Sequence, residues 1–158
     1  MTILLTVFSG VMVYVIGQII MKMLIEPVSE QRKVISKITY DLRYYANILG
    51  NPRGMEDEEM VEVCKIMRQH SSQLHAATYL IPAYKYCCYV FGLPRPEQIK
   101  QSTGNLIRLS HGFSNSPLAN QPILNVYAMQ KINLALGISI PKEELLDPEN
   151  EKQFIKAK

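Results

Sequence analysis

The first 21 residues, MTILLTVFSGVMVYVIGQIIM, contain no charged side chain and run directly into Lys22. A helix of roughly 20 apolar residues is what the hydrocarbon core of a bilayer requires, so this segment constrains the chain more than any other. A secretory signal peptide needs a basic start and a small-residue cleavage site, and the segment has neither, so it is expected to be a retained anchor over residues 1–24. Between residues 22 and 53 there are six basic side chains (Lys22, Arg32, Lys33, Lys37, Arg43, Arg53) against three acidic ones (Glu26, Glu30, Asp41). Lys and Arg gather on the cytoplasmic side of a span, so the expected topology puts the N-terminus outside and the C-terminal domain in the cytoplasm.

Some 135 residues follow the anchor, enough for one small domain. The net charge of +3 is modest, and its basic excess adjoins the anchor. That favours anionic headgroups, with Lys22, Arg32 and Lys33 as the contacting residues, and no nucleic-acid partner. No RNA-binding or recognition-helix signature occurs. Cys64, Cys87 and Cys88 lack CxxC spacing and a nearby histidine pair, so free thiols and no metal or cofactor are expected.

The periodicity throughout is helical, with no strand alternation or internal repeat. Pro27 is expected to interrupt the chain just past the anchor. Val28, Gln31, Ile35, Ile38, Leu42, Tyr45 and Leu49 then fill the a and d sites of three heptads, with Gln31 the one polar occupant. The GNPRG stretch, Gly50 to Gly54, ends that helix, and the acidic run Glu56 to Glu59 suits the first turn of the next. There Met60, Met67, Leu74 and Ile81 keep the heptad interval while Cys64, Ser71, Ala77 and Thr78 let a neighbour approach, which predicts a long antiparallel hairpin. A third helix runs from Pro96 to about Ser110 on Ile99, Leu106, Ile107 and Leu109. A loop covers His111 to Asn120, and a fourth helix uses Ile123, Val126, Tyr127 and Leu134 as one face and ends at Gly137. The tail, 138–158, is expected to be mostly irregular apart from a turn near Glu143 to Leu146.

Helix length adds a geometric expectation. At 1.5 Å per residue the first hairpin helix climbs roughly 30 Å and the second descends as far, so the segment Tyr79 to Leu93 returns to the bilayer. Its Tyr79, Tyr84, Lys85, Tyr86, Tyr89 and Phe91 are expected at the headgroup layer, or else in the bundle core. Within the anchor, Thr6, Gly10 and Gly17 project from nearly one face, a packing surface for a second copy or a partner membrane protein.

Catalytic constellations are weak. His70 and His75 stand roughly 140° apart on a helix and cannot grip one metal, and His111 follows Ser110 without a nucleophile motif or an orienting acid. Adjacent carboxylates at Glu56 to Glu59 lack calcium-loop spacing. Cys87 and Cys88 are expected in an apolar role rather than as acylation sites.

Three strings carry a family likeness: IEPVSEQRKVISKITYDLRYYANIL at Ile25 to Leu49, LIPAYKYCCYVFGLP at Leu80 to Pro94, and NLIRLSHG at Asn105 to Gly112. The chain resembles an uncharacterised group of small bacterial single-span membrane proteins with an Ile-x-Pro turn, a Tyr-Ala-Asn helix, an Ile-Pro-x-Tyr segment and an Asn-Leu-Ile-x-Leu-Ser helix. The resemblance implies a bacterial inner-membrane setting and an anchored architecture, and it transfers no catalytic residue.

Taken together, the expected fold is all-α: one N-terminal transmembrane helix, then a cytoplasmic helical bundle over residues 25–137. The expected function is that of an anchored interaction module binding a partner protein, itself or lipid. The rival is an enzyme on a lipid or membrane-embedded substrate using His75 or His111 as base, and a weaker alternative is a membrane-perturbing effector.

Overall fold

The computed structural model describes residues 2–53, 56–111 and 120–156, and they are all-helical, without strands. An apolar helix α1 (Thr2–Ile20) passes through a π-helical turn (Met21–Ile25) into α2 (Glu26–Tyr44), giving one uninterrupted helix over Ile3–Tyr44. Pro27 therefore does not break the chain as expected. Proline removes one N–H and crowds the carbonyl four residues back. The widened turn, in which the Glu26 N–H bonds to the Met21 carbonyl, shifts the hydrogen-bond register just before the ring and leaves Pro27 in the first turn of α2.

The helix continues past a local break at Tyr45 into α3 (Ala46–Gly50). The next helix, α4 (Glu58–Tyr79), starts as the acidic run requires. Asp57 is its N-cap, with Oδ1 accepting the Glu59 N–H at 3.1 Å, and Glu58 and Glu59 occupy the first turn. Gly54 of the expected breaker lies outside the described residues.

The pairing of α2 with α4 is antiparallel. Gln31 meets Thr78 at one end and Asp41 meets His70 further along, so residue numbers fall on one helix as they rise on the other. The heptad sites face inward: Ile38, Leu49, Met60, Met67 and Leu74 are fully buried, and Ile35 and Tyr45 half-buried. The hairpin does not stand alone. Helix α6 (Pro96–His111) packs along α4 through Ile99, Leu106 and Leu109, and α7 (Gln121–Ala135) closes the bundle against α6 and α3.

Two expectations fail at the C-terminal end. The inward face of α7 is Leu124, Tyr127, Ala128 and Ile132, whereas Leu134 is half exposed and Ile123 and Val126 are only half-buried. Asn125 sets this rotation: it is buried, and its Nδ2 donates to the Leu49 carbonyl at 2.9 Å, so the end of α3 draws that side of α7 inward. The tail has a turn where one was expected, a 3₁₀ turn at Lys142–Glu144, but also a helix α8 (Pro148–Lys156) in place of an irregular end. Side chains of α7 hold it by its backbone. Gln130 both donates to the Leu146 carbonyl and accepts its N–H, and the Tyr127 hydroxyl donates to the Asp147 carbonyl. Glu151, 5 % exposed, completes the attachment through Lys131 at 2.6 Å and Arg108 at 3.7 Å. Of the expected loop from His111 to Asn120, residues 112–119 lie outside the described residues.

Candidate functional site

The segment after α4 forms a compact unit against the start of α2. Ile81, Pro82 and Ala83 make a tight turn in which Ala83 adopts a left-handed backbone (φ 50°), and α5 (Tyr84–Phe91) follows, ended by Gly92 at φ 62°. A residue with a Cβ is strained at such an angle, so the turn at Ala83 is held by what surrounds it. That surrounding is a second apolar cluster: Val28, Ile81, Cys87, Cys88 and Leu93 are buried together, with Leu24 packed on them. Cys87 and Cys88 thus take the expected apolar role, on the inward side of α5.

A polar node fastens the same junction. Gln31 is fully buried, and its Nε2 donates to Thr78 Oγ1 at 2.8 Å and to the Tyr84 hydroxyl at 2.9 Å. Both hydroxyl protons are used elsewhere, Thr78 on the Leu74 carbonyl at 2.7 Å and Tyr84 on the Pro94 carbonyl at 2.6 Å. The amide must therefore present its NH₂ to them, which leaves Oε1 buried without a partner among the described residues. Burial raises the Tyr84 phenol above its ordinary 10.0, the hydrogen bond from Gln31 partly opposing it. Tyr84 is thus turned inward instead of lying on the outer face. Arg32 is also engaged, its guanidinium donating to the Phe91 carbonyl at 2.6 Å and so capping the C-terminal end of α5.

What remains outward is an aromatic and apolar face. Tyr79 is 87 % exposed, Tyr86 74 %, Tyr89 67 % and Val90 77 %, while Phe91 is half-buried on the inner cluster. Lys85 is exposed beside them, and the Arg95 guanidinium lies over the Tyr89 ring, 5.7 Å from its centroid. Lys22 is exposed at the π turn, and Lys33 is exposed and paired with Glu30 at 3.6 Å. Along α1 and into the π turn the residues from Ile3 to Met23 are all exposed. Space is open around Gly10 and Gly17, and Thr6 lies on the same face.

The histidines do not converge. His70 is buried and bonded through Nε2 to Asp41 Oδ2 at 2.5 Å, while His75 and His111 are exposed. His75 lines a shallow groove with Thr78, Tyr79, Tyr84 and Pro96, and no carboxylate is among the lining residues. Among the described residues no group of three or more His, Cys, Asp or Glu could hold a metal ion.

The Cys64 thiol is half-buried. Burial pushes it up to about 11 from 9.0, Arg68 pulling the other way. An unfolded thiol ionises first as pH rises, so this burial favours the folded chain fully below pH 9 and the advantage is lost as pH climbs through about 11. The folded chain is accordingly expected to alkylate at Cys64 about a hundredfold more slowly than an unshielded cysteine at pH 8, in proportion to thiolate. A loss of stability between pH 9 and 11 should shrink in Cys64→Ala, and an unshifted alkylation profile would contradict the burial.

No protein-family model matches this chain, and no curated protein or solved structure matches it either.

Proposed function

We propose that this chain is a single-pass protein of the bacterial cytoplasmic membrane whose helical bundle is an interaction module held at the inner leaflet. The observation that carries this reading is the continuity of the long helix. Its apolar half is exposed from Ile3 to Met23 among the described residues, and its other half is a core element of the bundle. A contiguous apolar surface of that extent needs a non-aqueous surrounding. Because α2 carries Val28, Ile38 and Leu42 into the two apolar clusters, the bundle is coupled to the anchor without a flexible linker. The basic excess after Lys22 supports a cytoplasmic bundle, and the resemblance of the three sequence strings supports the bacterial setting.

Binding is the role that fits the surfaces on hand: the aromatic face of α5 and the Thr6, Gly10 and Gly17 face of α1. The lipid-acting enzyme would need polar groups gathered around His75 or His111, and no specific observation favours it. The test is twofold. The chain should stay with the membrane pellet after alkaline extraction, and a reporter active only outside the cytoplasm should remain silent when fused at Lys158. Release into the supernatant would overturn the anchor, and an active reporter would overturn the orientation.

A further inference from the structure

Helix α5 is bound to the long helix at a particular height. Leu24 and Val28, which pack on Ile81, Cys87, Cys88 and Leu93, lie roughly 3 and 9 Å along the axis beyond Lys22. If the apolar helix spans, Lys22 marks the end of the hydrocarbon core, and the headgroup layer beyond it is about 5 to 8 Å deep. The inner side of α5 is used up on that packing, so its outer side faces the same surroundings as the base of the anchor. Its residues suit that layer, since tyrosine rings bury their carbon faces while keeping the hydroxyl wet.

The charge pattern is one-sided as well. From Tyr79 to Pro96 there are two cations, Lys85 and Arg95, and no Asp or Glu. Neither cation, nor Lys22, has a carboxylate partner among the described residues, and the Arg95 guanidinium lies over the exposed Tyr89 ring. A second protein could cover the aromatic rings, but only a bilayer covers this face and the anchor continuously, and phosphate-bearing headgroups answer its charge.

We propose that the outer face of α5 is an anionic-phospholipid docking surface, in which Tyr86, Tyr89 and Val90 seat in the headgroup layer and Lys85 and Arg95 hold lipid phosphates. This rests on the anchored reading above and names the partner of that surface. Docking would seat the base of the bundle against the leaflet and make its attitude depend on lipid charge.

The chain has no tryptophan, so Tyr86→Trp in the full-length protein reports this face alone. It is reconstituted into vesicles of phosphatidylcholine, with or without phosphatidylglycerol, and vesicle flotation is read beside fluorescence. With phosphatidylglycerol present, the tryptophan should be quenched by lipid brominated near the headgroup and shielded from aqueous iodide. Adding Lys85→Gln and Arg95→Gln should weaken docking about thirtyfold, from the attraction each cation gains near an anionic surface. Raised salt should act the same way. A floating chain whose lipid quenching ignores lipid charge and both substitutions would overturn the proposal and leave the anchor intact. Protection from both quenchers would also overturn it, by showing that protein covers the face. Failure to float would overturn the anchored reading itself.

Discussion

Truncating Leu74 or Ile38 to alanine is expected to destabilise the bundle by about 2 to 5 kcal/mol, the usual penalty for removing a large aliphatic group from a close-packed core. Both side chains are 0 % exposed, and they belong to one cluster contributed by α2, α4, α6 and α7. Leu74 sits on α4, which has α2 on one side and α6 on the other, so a cavity there is lined by three helices and cannot close by moving one of them. Unfolding of the full chain in detergent micelles, followed by near-UV circular dichroism of the tyrosines, reads the tertiary packing without counting the apolar helix. Leu80→Ala serves as the control. Leu80 is 63 % exposed, and its truncation is expected to change stability by no more than about 0.5 kcal/mol. If the Leu74 and Ile38 variants unfold like the control, the two heptad series do not share a core.

The parts of this fold that were legible in the sequence are those written in local periodicity. The apolar run to Met21 and the acidic start at Asp57 to Glu59 fall where helices form, and the heptads from Val28 to Leu49 and Met60 to Leu74 repeat a signal every turn or half-turn that burial follows. What escaped depends on partners distant in sequence. Gln31 looks like a flaw in its heptad until Thr78 and Tyr84 meet it, 47 and 53 residues away. Asn125 lies outside the expected apolar face of α7 and is buried by the Leu49 carbonyl, 76 residues away, which turns α7 off that face. The tail is polar and short, the signature of a frayed end, yet Gln130, Tyr127 and Lys131 hold it across 16 to 20 residues. Pro27 signals a break by a rule about regular α-helix, and the π turn before it is not regular α-helix. For the candidate surface, composition identified the aromatic segment, but only packing could separate the rings: Tyr86 and Tyr89 outward, Tyr84 inward to Gln31.

Removing the carboxylate of Asp41 should destabilise the bundle. His70 is 2 % exposed on its side chain and Asp41 13 %, so the imidazole is enclosed while the carboxylate keeps an edge to solvent. A carboxylate can only accept, so His70 Nε2 carries the shared proton, and Nδ1 is already without a partner among the described residues. Asp41→Ala therefore strands a ring with two unpaired nitrogens inside the bundle. The expected cost is about 1 to 3 kcal/mol, that of leaving a buried donor without its partner. His70→Leu is expected to cost less, about 0.5 to 1.5 kcal/mol, because the Asp41 carboxylate left behind can turn toward water. Carrying both substitutions should destabilise by less than their sum, since each residue's burden in the single variant is the absence of the other. Unfolding of the wild type, the two single variants and the double variant under the same micellar conditions closes the cycle. Strict additivity would show that the short contact couples nothing. Unchanged stability of Asp41→Ala would show that His70 finds another partner within the bundle.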